Sequence, residues 1–180
     1  MCWTYYSDGN RCMTFDGQVA SILPARSNFR HNWAVMCSKD GALYGGGGTK
    51  ESGVANKLEI YRDGQWRYSS DWDYPGNSLT NANCVTVPEG VLFFNFDRSS
   101  YLFNTERETW KFVGNAYVAE STLRYVKGEI WSFQGFYSNY NVKINWNGIA
   151  VEEGEKVILP NMYKISFPIV IDQDEYNLIC

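Results

Sequence analysis

The sequence contains a single histidine, His31, and this scarcity excludes several kinds of chemistry. A Ser-His-Asp or Cys-His catalytic set would have to include that one residue, and the sequence has no Gly-x-Ser-x-Gly elbow to accompany it. Zinc sites need several histidines or Cys-x-x-Cys spacings, which are also missing. We therefore expect a protein that is not an enzyme, with no catalytic residue, no bound metal and no cofactor.

Basic charge and long apolar runs are also scarce. Lys and Arg total 16 against 20 Asp and Glu, which gives a formal net charge of −4. Because phosphate binding needs clustered Lys and Arg, we expect no nucleic-acid partner. No apolar run approaches membrane-spanning length, and the N-terminus lacks the basic-then-apolar order of a signal peptide. No Asn-x-Ser/Thr sequon is present, and the compartment stays open between cytoplasmic and secreted.

Four of the five cysteines form two pairs in different settings. Cys2 and Cys12 flank a Ser-Asp-Gly-Asn turn, a hairpin that a disulfide would bridge if the protein is secreted. Cys37 and Cys84 each stand shortly before a turn glycine, so we expect both on the first strands of neighbouring units. We favour the interpretation that this second pair are buried free thiols acting as small apolar residues.

Helical spacing of apolar residues is missing as well, and what is abundant favours strands. The chain has 7 Trp, 13 Tyr and 10 Phe together with 16 glycines. Aromatic residues prefer strands, and glycine marks tight turns. The sequence therefore predicts an all-β protein with negligible helix.

Two short sequence patterns repeat along the chain. In the first pattern, a tight turn is followed by an apolar run, and these turns lie at Gly41, Gly90, Gly128 and Gln173–Asp174. In the second pattern, a polar turn precedes a large apolar residue, and these residues are Trp66, Trp110 and Ile149. A period of roughly 40–50 residues built from short strands is typical of propeller blades of four antiparallel strands. Residues at matching blade positions should be largely buried: Leu43, Trp66, Leu92, Phe93, Trp110, Ile130 and Phe133.

The first unit resembles the kelch repeat. That motif has an arginine, an aliphatic strand, a turn glycine, an aliphatic-Tyr-x-Gly-Gly run and a later Tyr-Asp ahead of a tryptophan. The matching residues are Arg30, Val35, Gly41, Leu43, Tyr44, Gly45 to Gly48, Tyr61, Asp63 and Trp66. The second unit departs from it, with Phe94-Asn95-Phe96 where paired glycines are usual. The spacing covers nearly the whole chain, so the resemblance implies a β-propeller.

On this basis residues 1–180 hold about three and a half blades of a partial or small kelch-like propeller. The predicted units are 1–26 (two strands only), 27–78, 79–116, 117–163 and 164–180 (incomplete). A chain that starts and stops inside a blade favours a fragment. The alternative is a closed four-bladed ring in which the two ends share one blade.

The resemblance implies a non-catalytic module that binds a protein or peptide partner through its loop face, since loops on a rigid repeat scaffold carry specificity. Arg30 matches the family's arginine near that face, and an acidic peptide would suit its guanidinium group. Aromatic residues in loops are common binding hot spots. The candidate binding residues are Arg26, Arg30, Trp72, Tyr74, Tyr137 and Tyr140.

Two alternatives to this function remain open. The loop aromatics would also suit a carbohydrate-binding or degenerate sugar-active propeller. The chain could equally be a truncated repeat fragment without independent function. The Gly45 to Gly48 run is not a phosphate loop, because Thr49 separates it from Lys50.

Overall fold

A computed structural model describes eight stretches of the chain, which together hold fourteen strands and no helix. The described residues are 13–15, 18–24, 30–49, 56–76, 78–80, 82–118, 121–134 and 140–158. The prediction of an all-β protein is confirmed for these residues. None of them forms a helix that could cross a membrane.

The strands form a hairpin and three groups of four consecutive strands, which we call the first, second and third meanders. The hairpin pairs β1 (Met13–Phe15) with β2 (Ala20–Ile22). The first meander contains β3 (Arg30–Lys39), β4 (Ala42–Thr49), β5 (Lys57–Arg62) and β6 (Gln65–Asp73). The second contains β7 (Asn83–Val87), β8 (Gly90–Phe94), β9 (Ser99–Asn104) and β10 (Thr109–Asn115). The third contains β11 (Ser121–Val126), β12 (Glu129–Gln134), β13 (Tyr140–Trp146) and β14 (Val151–Ile158).

Every neighbouring pair within a meander is antiparallel and consecutive in sequence. The second and third meanders meet at their last strands, where Gly114 of β10 pairs in parallel with Val151 of β14. This contact is tight, because a side chain on Gly114 would place its Cβ only 2.5 Å from the Val151 carbonyl oxygen. The two meanders thereby join into one eight-stranded sheet.

Two-residue turns with positive φ link β3 to β4, β5 to β6 and β11 to β12. The pairs are Asp40-Gly41 (φ 50° and 75°), Asp63-Gly64 (φ 53° and 85°) and Lys127-Gly128 (φ 51° and 86°). Such turns match the right-handed twist of antiparallel strands, which is why glycine follows a residue that tolerates positive φ. Gly41 and Gly128 are therefore turn glycines, as predicted. Gly90 is instead the first residue of β8, and its Cβ position lies 2.1 Å from the carbonyl oxygen of Phe103.

The second meander lies between the other two, and its strand β8 is buried on both faces. Along β8, Val91 and Phe93 join the apolar cluster shared with the first meander. Leu92 and Phe94 join the cluster shared with the third. All five residues of β8 are buried. Alternating side chains of one strand therefore serve two separate cores, which explains why its sequence is a continuous apolar run rather than an alternating one.

The burial prediction holds fully for three of the seven residues and in part for the other four. Leu92, Phe93 and Ile130 are fully buried, as expected. The other four residues are partly buried: Leu43, Trp66, Trp110 and Phe133. Both tryptophans lie near the start of the last strand of a meander, where one strand pairs with them.

Cys37 and Cys84 form a disulfide, so the prediction of two free thiols was wrong. The two residues are 47 apart in sequence, but β3 and β7 are in contact across adjacent layers. Their Cα atoms lie 6.0 Å apart, within the range that a disulfide spans. The bond joins the first strand of the first meander to the first strand of the second. Cys2 and Cys12 lie outside the described residues.

Two tryptophans tie successive units together through matching hydrogen bonds. The Trp110 indole nitrogen donates to the carbonyl oxygen of Asp71 on β6 at 3.0 Å. The Trp66 indole nitrogen donates to the carbonyl oxygen of Pro24, just after β2, at 2.9 Å. In both cases the last strand of one unit is held to the C-terminal end of the unit before it. Ile149, at the corresponding place in the third unit, has no such donor.

An ion pair also joins the first two meanders. The Arg67 guanidinium on β6 donates two hydrogen bonds to the Glu108 carboxylate in the β9–β10 turn. The amide and hydroxyl of Ser70 donate to the same carboxylate, at 2.7 and 3.0 Å. The bonds from Arg67 and then from Ser70 outweigh desolvation and lower the pKa of Glu108 to about 2.

Replacing Phe93 should test the two-sided core. Phe93→Ala removes a ring that is fully buried, and we expect a loss of about 3–5 kcal/mol in the free energy of unfolding. Urea denaturation would measure it. Phe112→Ala is the matched control, because that ring is 53% exposed and its loss should cost no more than about 1 kcal/mol. Equal losses for the two variants would contradict the layer arrangement.

Glu108 should make stability depend on pH. Because its folded-state pKa is lowered, its contribution is present above the ordinary glutamate pKa and is lost as the pH falls toward about 2. Glu108→Gln should therefore flatten the fall in unfolding free energy between about pH 5 and pH 2. Glu106→Gln, an exposed residue of the same turn, should leave the fall intact. If the unfolding free energy of wild type and Glu108→Gln fell in parallel with pH, the Arg67–Glu108 pair would contribute nothing to stability.

Candidate functional site

A region with many hydrogen bonds lies where the β8–β9 turn meets the β10–β11 connection. We call residues 95–98 and 116–118 the loop edge; Phe96, Asp97 and Arg98 are exposed in it, whereas Asn95, Ala116 and Val118 are buried. The amide of Ala116 donates to the Arg98 carbonyl oxygen at 2.8 Å, and this bond joins the two segments. The Asn83 side-chain amide donates to the Val118 carbonyl oxygen at 2.6 Å, which ties the connection to β7.

A buried hydrogen-bond network supports the loop edge from below. The Tyr74 hydroxyl donates to Asn95 Oδ1 at 2.6 Å, and Asn95 Nδ2 donates to Ser99 Oγ at 2.9 Å. Ser99 Oγ in turn donates to Asp97 Oδ1 at 2.5 Å. Tyr74 and Asn95 are each 4% exposed. Burial raises the pKa of Tyr74, so its hydroxyl stays protonated and remains a donor.

Backbone bonds fix the same turn. The Asn95 amide donates to the Ser99 carbonyl oxygen at 3.0 Å, and the Arg98 amide donates to the Asn95 carbonyl oxygen at 3.1 Å. Arg98 has a φ of 76°, a conformation that costs energy for any residue other than glycine. The turn is therefore held in a strained shape by its own hydrogen bonds and by the network beneath it.

The turn displays an aromatic ring and a cation. Phe96 is 64% exposed, although both residues before it are buried. The Arg98 guanidinium lies over the Tyr117 ring, 5.3 Å from the ring centroid, in cation–π geometry. The Tyr117 amide donates to Glu153 Oε1 at 2.8 Å, which holds residue 117 against β14. Phe96, Arg98 and Tyr117 thus form a small amphipathic surface on a fixed backbone.

Three of the sequence-predicted binding residues lie elsewhere than expected. Tyr74 was expected on an exposed loop, but it is buried and its hydroxyl is used by Asn95, so we remove it from the candidate site. Trp72 belongs to β6 rather than to a loop. Tyr140 is the first residue of β13, half-buried against the core, with the Lys156 ammonium 5.1 Å from its ring centroid.

The structure does not describe the side chains of the remaining predicted residues. Arg30 begins β3, but its side chain and that of Trp72 are outside the described part of the structure. Arg26 and Tyr137 lie outside the described residues altogether. Within the described ranges, no group of His, Cys, Asp and Glu side chains is arranged to hold a metal ion.

Phe96, Arg98 and Tyr117 were not among the binding residues predicted from the sequence. A signal was present, because Phe94-Asn95-Phe96 replaces the paired glycines of the kelch motif, and Asp97-Arg98-Ser99 has the polar composition of a turn. An asparagine after a buried strand marks where β8 ends. The next residue, Phe96, then falls in the turn and not in the core.

Comparisons with known proteins show the fold alone. No protein-family model and no curated protein matches the sequence. Among solved structures 69 chains match, and one of them is YjhT, at 11% identity and a TM-score of 0.65. The alignment covers 88% of this chain and 59% of the YjhT chain. The chain thus spans about three-fifths of the length of that structure.

Truncating Asn95 should test the network. Asn95→Ala leaves the buried Tyr74 hydroxyl without its acceptor, and we expect a loss of about 1–3 kcal/mol in unfolding free energy. Adding Tyr74→Phe to this variant removes the stranded hydroxyl, so the double variant should be at least as stable as Asn95→Ala. Thermal or urea denaturation of the three proteins would measure both effects. A double variant that loses further stability would contradict the assigned bond.

Proposed function

We propose that the chain is a kelch-like β-propeller segment in which the three meanders are three blades. Each meander has four consecutive antiparallel strands, and all of them fall within the intervals 27–78, 79–116 and 117–163. The indole bonds of Trp66 and Trp110 recur at one position of the repeat. In this arrangement the β1–β2 hairpin takes the place of the two outer strands of a preceding blade.

We infer that the segment is a non-catalytic module that binds a protein or peptide partner through the loop edge. The observation that supports this inference is the exposed Phe96 ring, which lies on a turn fixed by several hydrogen bonds. A mostly exposed ring contributes little to folding, and a strained turn costs energy that the hydrogen bonds around it have to offset. Both the exposed ring and the rigid turn would favour binding, because a rigid aromatic side chain loses little conformational entropy when a partner covers it.

The chemistry of the loop edge indicates the kind of peptide it would accept. Phe96 would pack against an apolar side chain of the partner. Arg98 lies within the same turn and would pair with a partner carboxylate, while Tyr117 holds its guanidinium in place. We therefore expect a peptide in which an apolar residue stands close to an acidic one.

Selection from a library of displayed random peptides would test this function on the intact chain. Peptides recovered with the wild-type protein should bind Phe96→Ala at least about tenfold more weakly, the loss expected for a hot-spot aromatic. Phe112→Ala is the matched control, because Phe112 is also exposed but lies on β10 outside the loop edge. It should bind the same peptides normally.

Arg98→Gly gives a second, independent test. Glycine adopts a φ of 76° without strain, so this variant should melt at the same temperature as wild type or higher. It should nevertheless lose affinity for the acidic peptides. Peptides that bind wild type, Phe96→Ala and Arg98→Gly equally would remove the loop edge as the binding surface.

A further inference from the structure

A second pair of a cation and an aromatic ring lies on the third meander. The Lys156 ammonium on β14 lies over the ring of Tyr140 on β13, 5.1 Å from the ring centroid. Arg98 and Tyr117 have the same arrangement in the loop edge. Such contacts restrain a long cationic side chain and leave its hydrogen-bond donors available. Two neighbouring meanders therefore each carry a restrained cation.

The second pair lies on the face of the third meander that is turned to the second meander. Lys156 is the direct strand partner of Val142, and Ile158 is the direct partner of Tyr140. Direct partners of an antiparallel pair lie on the same face of the sheet. Val142 is buried in the core shared with the second meander, and Tyr140 packs against that core. Lys156 and Ile158 are both exposed, so they continue this face beyond the edge of the core.

Glu153 connects this face to the loop edge. It is the direct partner of the buried Ile144, so its side chain lies on the same face as Lys156. Glu153 Oε1 accepts the Tyr117 amide at 2.8 Å, and its Oε2 lies 3.9 Å from the Lys156 ammonium. The loop edge and the second pair are therefore parts of one surface that crosses from the second meander to the third.

Glu153 would act on an acidic ligand in two opposite ways. Its oxygen holds the backbone of Tyr117, and the Tyr117 ring lies against the Arg98 guanidinium, so Glu153 is a positioning residue for the loop edge. Its negative charge, in contrast, would repel a partner carboxylate. A glutamine at this position would keep an accepting oxygen and lose the charge, so the two effects can be measured separately.

We propose that the peptide bound at the loop edge continues along β14 and places a second acidic residue at Lys156 and a second apolar residue at Ile158. This inference rests on the proposed function, because it extends the same site. The Lys156 side chain is 52% exposed and its ion pair with Glu153 is long, so a partner carboxylate can approach the ammonium at little cost. Lys156 lies three residues after Glu153, about 10 Å along the strand, so an extended peptide needs about three residues to reach it. Ile158 is 73% exposed and would lose apolar surface to water contact only when a partner covers it.

A second displayed-peptide library would test this extension on the intact chain. Its members keep the apolar–acidic pair recovered with the wild-type protein and carry random residues on both sides of that pair. The peptides that bind most tightly should be enriched in Asp or Glu about three or more residues away from the pair. The same selection on Lys156→Ala should lose this enrichment. Equal enrichment on both proteins would overturn the proposal.

Affinities of one enriched peptide then assign the contact to Lys156. Lys156→Ala should weaken this peptide about fivefold, and it should not change the binding of the same peptide with alanine in place of its second acidic residue. Lys111→Ala is the matched control, because Lys111 is an exposed lysine on β10 outside the loop edge, and it should bind both peptides as wild type does. Both lysines are exposed, so an unchanged melting temperature confirms that each variant is folded. Equal weakening of the two peptides by Lys156→Ala would overturn the proposal.

Variants of Glu153 separate its two effects. Glu153→Gln should bind the enriched peptide about two- to fivefold more tightly than wild type, whereas Glu153→Ala, which loses the acceptor for Tyr117, should bind it more weakly than Glu153→Gln. If Lys156→Ala and Glu153→Gln bind as wild type does while Phe96→Ala still weakens binding, the extension along β14 is wrong and the loop edge stands. If Phe96→Ala has no effect either, the proposed function is wrong as well.

Discussion

The rest of the structure depends on the burial of β8, in the second meander, on both of its faces. Val91 and Phe93 pack toward the first meander, and Leu92 and Phe94 pack toward the third. A fully buried side chain of this size contributes about 1.5–3 kcal/mol, so one five-residue strand stabilises two interfaces at once. The three meanders are therefore coupled, because β8 at the centre of the second has no polar face to present to water.

Hydrogen bonds and an ion pair between the second and first meanders determine where their last strands lie. Apolar packing alone is non-directional, whereas the indole of Trp110 and the Arg67–Glu108 pair each require one relative position of two layers. The loop edge inherits this rigidity, because Asn95 continues directly from the buried end of β8 and binds Tyr74 from the preceding connection. The exposed Phe96 is consequently a surface feature supported by the core.

Local features of the fold could be predicted from the sequence, and features that depend on contacts between layers could not. The Asp-Gly and Lys-Gly turns at Gly41 and Gly128 follow from backbone conformation, and strands follow from aromatic content. The Cys37–Cys84 bond depends on how two layers face each other, which no spacing reveals. The same reason explains the site: Tyr74 and Phe96 are both aromatics beside strand ends, yet one is 4% and the other 64% exposed. Which of the two side chains is buried depends on the residues that pack around each of them in the folded structure.

The disulfide changes the connectivity of the chain as well as its packing. It closes a covalent ring that contains β4, β5 and β6 together with the connection to β7. A protease that cuts the backbone once anywhere inside this ring leaves a single covalent molecule, whose two pieces separate only after reduction. The first two meanders would therefore stay covalently linked after such a cut, and their shared core could reassemble as an intramolecular reaction.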